Sequence, residues 1–249
     1  MSTAGLELPI GWRDPRPATG GYMSPQIFRD RTEAGRLLAA KLARYVDRPD
    51  VLVLALPRGG VPIGHEVARA LHAPMDVFIV RKLGVPGHEE FAMGAVATGG
   101  VRVLNEQVVS ALGIPDYVIE AVAAWEQQEL ERRERLYRGN RPPPEVRGMT
   151  VILVDDGLAT GSTMLAAVQA LRKLGPARIV VAVPVASPDT CELLKSEVDE
   201  IVCAATPEPF YAVGLWYRDF SQTTDEEVRE LLQRTATEVA GAYATARRT

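Results

Sequence analysis

The sequence predicts an α/β fold, a parallel twisted sheet flanked by helices. Five short apolar runs, 51–56, 75–80, 151–154, 178–183 and 199–203, alternate with helix-patterned runs at 61–71, 162–174 and 188–196. Uninterrupted apolar strands suit a sheet buried on both faces, and strand–helix alternation suits right-handed parallel crossovers. Stretches rich in Gly and charge follow the strands at 51–56, 75–80 and 151–154. Those are the carboxyl ends at which open α/β sheets bind ligands.

Residues 1–25 are rich in Pro and Gly without periodicity, which predicts an arm with little order of its own. Phe28 to Val46 carries helical spacing and leads into the first strand, which ends in Pro57-Arg58-Gly59-Gly60. Arg58 is suited to phosphate, because its planar fork can take two oxygens at once. Gly59 and Gly64 have the glycine spacing of a nucleotide P-loop, but His65-Glu66 stands where Lys-Ser/Thr is required, so an ATPase site is excluded. The strand at 75–80 ends in Arg81-Lys82 and Leu83-Gly84-Val85-Pro86-Gly87-His88-Glu89-Glu90, a Gly- and Pro-bearing stretch with the character of a lid. Two solvated cations beyond a strand are the plainer account of Arg81 and Lys82. Phe91 to Leu104 has the alternation of a hairpin, and Tyr117 to Tyr137 that of one long inserted helix with a solvated charged face, stopped by Pro142-Pro143-Pro144.

The richest segment is Val151-Ile152-Leu153-Val154-Asp155-Asp156-Gly157-Leu158-Ala159-Thr160-Gly161-Ser162-Thr163. It reads as a buried strand, two carboxylates, and a small-residue turn opening a helix. The first turn of a helix has spare N–H groups and a favourable dipole for anions. Gly157 and Gly161 let the backbone curl round a phosphate, and Thr160, Ser162 and Thr163 add hydroxyl donors. Asp155 and Asp156 would repel a phosphate, so a sugar diol is their natural partner. These pieces describe a site for a sugar 5-phosphate.

This segment resembles the phosphoribosyl pyrophosphate (PRPP) signature of the type I phosphoribosyltransferases. The resemblance implies that Asp155 and Asp156 hold the ribose and that Gly157, Ala159, Thr160, Gly161, Ser162 and Thr163 wrap the 5′-phosphate. It implies a pyrophosphate loop at Arg58, Gly59 and Gly60, and a leaving-group role for Arg81 and Lys82 beside a closing lid. It further implies a C-terminal hood, about 204–222, which binds the acceptor base, with Phe210, Trp216 and Tyr217 as stacking candidates. The same aromatics would equally anchor the helix expected at 225–243. Many 6-oxopurine enzymes of the family carry an aspartate where this chain has Ala159, so their proton-transfer route is not supported here. Mg²⁺ is expected with the pyrophosphate, because carboxylates such as Asp155 and Asp156, ribose hydroxyls and phosphate oxygens are the hard ligands it prefers. Family members commonly pair, which implies a homodimer.

The expected activity is transfer of the 5-phosphoribosyl group of PRPP to a nucleobase or related acceptor, with release of pyrophosphate. Two other readings stay open: a PRPP- or nucleotide-binding regulator, and transfer to an amine, alcohol or water. With 249 residues, 47% hydrophobic and 24% charged, the chain has the composition of an ordinary globular protein. Its net charge of −4 gives no drive toward nucleic acid, and no apolar run approaches a membrane span. Cys191 and Cys203 have neither metal-ligand spacing nor disulfide-scaffold density, and Cys203 reads as a small core residue. Together with the lack of an export-type N-terminus, this predicts a cytoplasmic protein.

Overall fold

The computed structural model describes residues 28–246; the expected N-terminal arm lies outside them. Helix α1 (Arg31–Lys41) starts at Asp30, whose carboxylate accepts from the Glu33 N–H at 2.8 Å. Strand β1 (Val51–Ala55) and helix α2 (Gly60–Leu71) follow, then β2 (Met75–Val77). Next come three antiparallel strands, β3 (Val80–Val85), β4 (His88–Ala97) and β5 (Val101–Leu104), and helices α3 (Glu106–Leu112) and α4 (Asp116–Arg138). The chain then returns through β6 (Thr150–Val154), α5 (Ser162–Lys173), β7 (Arg178–Val185), α6 (Pro188–Lys195) and β8 (Glu200–Ala205). The last described element is α7 (Asp225–Ala246).

Five strands form a parallel sheet in the order β2-β1-β6-β7-β8. β1 pairs with β6 from Val51↔Thr150 to Ala55↔Val154, and every residue of both strands is buried. Alternate residues serve opposite cores. Val51, Val53, Ile152 and Val154 face α1 and α2, whereas Leu52, Leu54, Val151 and Leu153 face α5 and α6. The fold class read from the sequence is therefore the observed one.

Several boundaries differ from the expected ones. The run expected as one strand over 75–80 splits: β2 ends at Val77 and β3 leaves for the second sheet. Phe78 and Ile79 are buried at the junction, so hydrophobicity alone carries no mark of the change. The segment 83–90, expected as a lid, is mostly paired ribbon, with β3 running to Val85 and β4 starting at His88. Pro86-Gly87 makes the tight turn opposite the Val85↔His88 pair, with Gly87 at φ +79°, where a side chain would be strained. Helix α3 was not foreseen. It buries no residue fully, and only Val108 and Val109 pack against the core in part; its clearer signals are the Asn105 cap and Gly113 at φ +59°. The expected hairpin within 91–104 and the long helix are present. Cys191 and Cys203, read as separate, are disulfide-bonded between α6 and β8. Helix–strand return brings them together over 12 residues, which counting cysteines does not reveal.

The inserted helix is fastened to the sheet by a buried charge cluster. Arg138, 1% exposed at the side chain, donates from Nε to Asp76 Oδ1 at 2.9 Å and from Nη1 to Glu134 Oε1 at 2.8 Å. It also bonds the Val77 carbonyl. Removing one member of a buried pair leaves an uncompensated charge. Arg138→Met is therefore expected to lower stability by about 3–5 kcal/mol in urea unfolding. Adding Asp76→Asn should recover part of the loss, and a parental midpoint in the single variant would contradict this account.

Candidate phosphosugar site

The site lies where the chain leaves β1 and β6 in opposite directions, the switch point of the sheet. On one side, β1 runs through a cis Pro57–Arg58 peptide into Gly59 and the start of α2. The two loops touch. A Cβ on Gly59 would lie 2.0 Å from Asp156 Oδ2, and one on Gly60 2.7 Å from the Val154 carbonyl oxygen, so both positions require glycine. The turn consumes two of its own donors, Gly60 N–H to Leu56 O and Val61 N–H to Arg58 O. Among the described residues, the Arg58 and Gly59 N–H groups have no protein acceptor. The Arg58 guanidinium stands 3.8 Å from Asp225 at the start of α7. Asp225 also accepts from the Tyr137 hydroxyl at 2.6 Å, and burial with this contact pushes the phenol up to about 12.

On the other side stands the acid pair. Asp155 Oδ1 accepts from the Asp156 N–H at 2.8 Å. Asp156 Oδ2 takes both Nε and Nη2 of Arg31, at 2.9 and 2.8 Å, and the Asp156 carbonyl accepts from the Tyr217 hydroxyl at 2.6 Å. Arg31 also donates to the Ser221 carbonyl at 2.7 Å, with its Cζ 4.0 Å from the Phe220 ring centre. Burial raises the Asp156 carboxyl against the opposing pull of Arg31. Burial and the Asp156 charge hold Asp155 well above the usual carboxylate range.

The loop beyond is an open cradle. Val213 lies over Gly157, where a Cβ would meet its Cγ1 at 2.5 Å. Leu158 is held in β-fashion, its N–H on Val185 O and its carbonyl on the Ser187 N–H. Gly161, at φ +68°, turns the chain into α5. Among the described residues, no protein acceptor takes the N–H groups of Ala159, Thr160, Gly161, Ser162 or Thr163. Lys82 Nζ reaches in from β3 to Ser162 Oγ at 2.6 Å. Five uncommitted amides, a helix N-terminus and an ammonium are the donors that an anion takes.

The structure thus brings Asp155, Asp156, Gly157, Ala159, Thr160, Gly161, Ser162, Thr163, Gly59, Gly60 and Lys82 together. It does not bring Arg81. Neighbours on a strand point to opposite faces, so while Lys82 faces α5, Arg81 faces α4 and pairs with Glu126 at 2.7 Å. Tyr217 is buried between Phe28 and Phe220 and is a strut beneath Asp156, which corrects its expected stacking role. Phe210 and Trp216 stack on one another at 6.3 Å and pack against the sheet core. Arg31 and the α6 hydroxyls of Ser187 and Thr190, which hold the Ala159 carbonyl, were missed. Arg31 lies 125 residues from its acid, and no local motif marks it.

The acid pair does not fit a magnesium held by the protein. One Asp156 oxygen is spanned by a guanidinium, and no three His, Cys, Asp or Glu groups cluster as ligands among the described residues.

The acid pair also has a measurable consequence for stability. A folded value raised above the unfolded one means that folding favours the protonated acid. Its contribution is complete below about pH 4 and fades as pH climbs toward the folded value. Asp155→Asn keeps an acceptor for the Asp156 N–H and removes this loss. The variant is expected to show a flatter dependence of unfolding temperature on pH between about 4 and 8, and a higher value than the parent at pH 8. A slope equal to the parent's would contradict the burial argument.

Comparison with known proteins agrees with this geometry. A family model described as "Phosphoribosyl transferase domain" matches residues 26–210. A protein of Mycobacterium tuberculosis strain H37Rv, named "Putative phosphoribosyl transferase Rv0571c", is 45% identical over 219 residues, 88% of this chain and 49% of its own length. The chain spans about half the length of the curated relatives it matches. An orotate phosphoribosyltransferase of Sphingopyxis alaskensis is 37% identical over 103 residues, 40% of this chain and 50% of that protein. The crystal structure of TT1426 from Thermus thermophilus has 45% identity and a TM-score of 0.75, covering 83% of this chain and 98% of that one. With the domain model spanning sheet and cradle alike, the chain belongs to the type I phosphoribosyltransferase family.

Proposed function

We propose that the chain transfers the 5-phosphoribosyl group of PRPP to a small acceptor and releases pyrophosphate. The observation that carries this reading is the cradle at Ala159–Thr163, with its uncommitted amides beside a buried acid pair. The 5′-phosphate would sit on those amides and on Lys82, whose contact with Ser162 supports this place for it rather than one on the leaving group. The ribose diol would lie on Asp155, whose second oxygen makes no protein bond among the described residues. Arg58 and the Gly59 N–H would meet the pyrophosphate, Arg58 releasing Asp225 for it. Magnesium would arrive as a companion of the substrate's phosphate oxygens.

In the reaction, the bond from the anomeric carbon to pyrophosphate breaks with its electron pair going to the leaving group. The acceptor's lone pair forms the new bond, and its proton passes to solvent. Binding energy from the distant phosphate orients the reacting carbon, and the charge that develops there lies next to the acid pair. Ala159 offers no base, so the acceptor must arrive nucleophilic or lose its proton late. A nucleobase fits the family. The mutual stacking of Phe210 and Trp216 leaves less aromatic surface for a base, which favours an amine, alcohol or water as the second reading. Pairing of two chains belongs to the same proposal and is read from the molecular mass in solution.

Incubation with PRPP, Mg²⁺ and a panel of purines, pyrimidines, amines and alcohols, monitored for pyrophosphate, tests this. Release dependent on one acceptor class is expected. Lys82→Met should lower kcat/KM for PRPP by about 10–100-fold, the worth of one charge-assisted contact, with unfolding unchanged because Lys82 is exposed. A chain that neither releases pyrophosphate with any acceptor nor binds PRPP would refute the proposal.

A further inference from the structure

Helix α6 donates none of the N–H groups assigned above to substrate, yet its cap and first turn grip the cradle from behind. Thr190 Oγ1 donates to the Ala159 carbonyl at 2.5 Å, and Ser187 Oγ lies 2.7 Å from Thr190 Oγ1 and 3.2 Å from the same carbonyl. Ser187 has one hydroxyl proton, so the shorter contacts define a relay from Ser187 to Thr190 to Ala159. Thr190 also uses its methyl: a Cβ on Gly161 would lie 2.6 Å from Thr190 Cγ2. The threonine is 6% exposed and therefore has no solvent to compete for its hydroxyl.

The Ala159 carbonyl and the Thr160 N–H belong to one peptide plane, in which they point in opposite directions. Holding the carbonyl against α6 therefore turns the Thr160 N–H away from α6, to the open side of the loop. That N–H has no protein acceptor among the described residues. Left to itself, a loop of small residues can rotate this plane and present the carbonyl instead, which would repel a phosphate. We propose that Thr190, aided by Ser187, is a positioning residue that fixes the Ala159–Thr160 peptide so that its N–H faces the 5′-phosphate. The inference rests on the phosphoribosyl reading and adds to it a specificity device outside the signature motif: preorganised donors gain affinity by removing the cost of ordering them.

Three variants test it, with binding of ribose 5-phosphate and of pyrophosphate measured separately by calorimetry. Thr190→Val keeps the shape against Gly161 and removes the hydroxyl; Thr190→Ser keeps the hydroxyl and removes the methyl. We expect Thr190→Val to weaken ribose 5-phosphate binding about 10-fold, the worth of roughly one hydrogen bond to a charged group, while pyrophosphate binding is unchanged. Thr190→Ser should bind ribose 5-phosphate within about 2-fold of the parent, being left with a hydroxyl in the same place. Should Thr190→Val fail to fold, Ser187→Ala is measured in its place and is expected to weaken ribose 5-phosphate alone.

Equal loss of both ligands, parental binding by Thr190→Val (or by Ser187→Ala where that variant stands in), or a loss that Thr190→Ser does not restore would overturn the brace. A parent chain that binds no ribose 5-phosphate would overturn the phosphoribosyl reading itself and the brace with it. The two failures are thus told apart by the parent's own titration.

Discussion

β1 and β6 lie side by side in register, and their chains then depart in opposite directions, one into α2 and one into the loop that opens α5. Everything proposed for the crevice depends on that divergence. Strands about 4.8 Å apart put their following loops in contact, so the loops can share one small ligand only if their facing residues are nearly without side chains. Gly59 and Gly60 meet this constraint, with Asp156 and the end of β6 occupying the space that any side chain would fill. The glycines of the first loop are therefore explained by the acids of the second.

The acids set a second constraint, this time electrostatic. Two adjacent carboxylates in a desolvated corner repel each other, and burial disfavours the charge of both. Arg31 opposes this for both acids, but hydrogen-bonds Asp156 alone. It also joins Asp156 to the Ser221 carbonyl and the Phe220 ring, while Tyr217 carries the same acid's main chain. The segment 217–221 is thus tied to the acid pair by polar contacts rather than by apolar packing alone.

What could be read in advance follows from how local each signal is. The motif from Val151 to Thr163 is contiguous, and its strand, acids, turn and helix start appear where the residue types put them. The alternation of strands and helices likewise foretold the parallel sheet. The failures are tertiary. No pattern separates Val77 from Val80, because Phe78 and Ile79, between the two sheets, are as buried as strand residues. Arg81 and Lys82 read as a pair, yet the pleat of β3 sends them to opposite helices. Phe210, Trp216 and Tyr217 carried two meanings at once, and the structure places all three in packing contacts. Arg31, Ser187 and Thr190 act on the crevice across 28 to 125 residues of chain, beyond the reach of any local motif.

The antiparallel ribbon carries one further implication. Lys82 meets Ser162 on one surface of β3 while Arg81 meets Glu126 on the other, so sliding the strand by a single position would exchange them. The ammonium would then be turned toward α4, and a guanidinium already claimed by a glutamate would be turned to the cradle. Irregular pairing at Leu83, Gly84 and Val85 gives the strand a keyed profile that opposes such sliding. The register of β3 on β4 therefore decides which of the two cations the cradle meets.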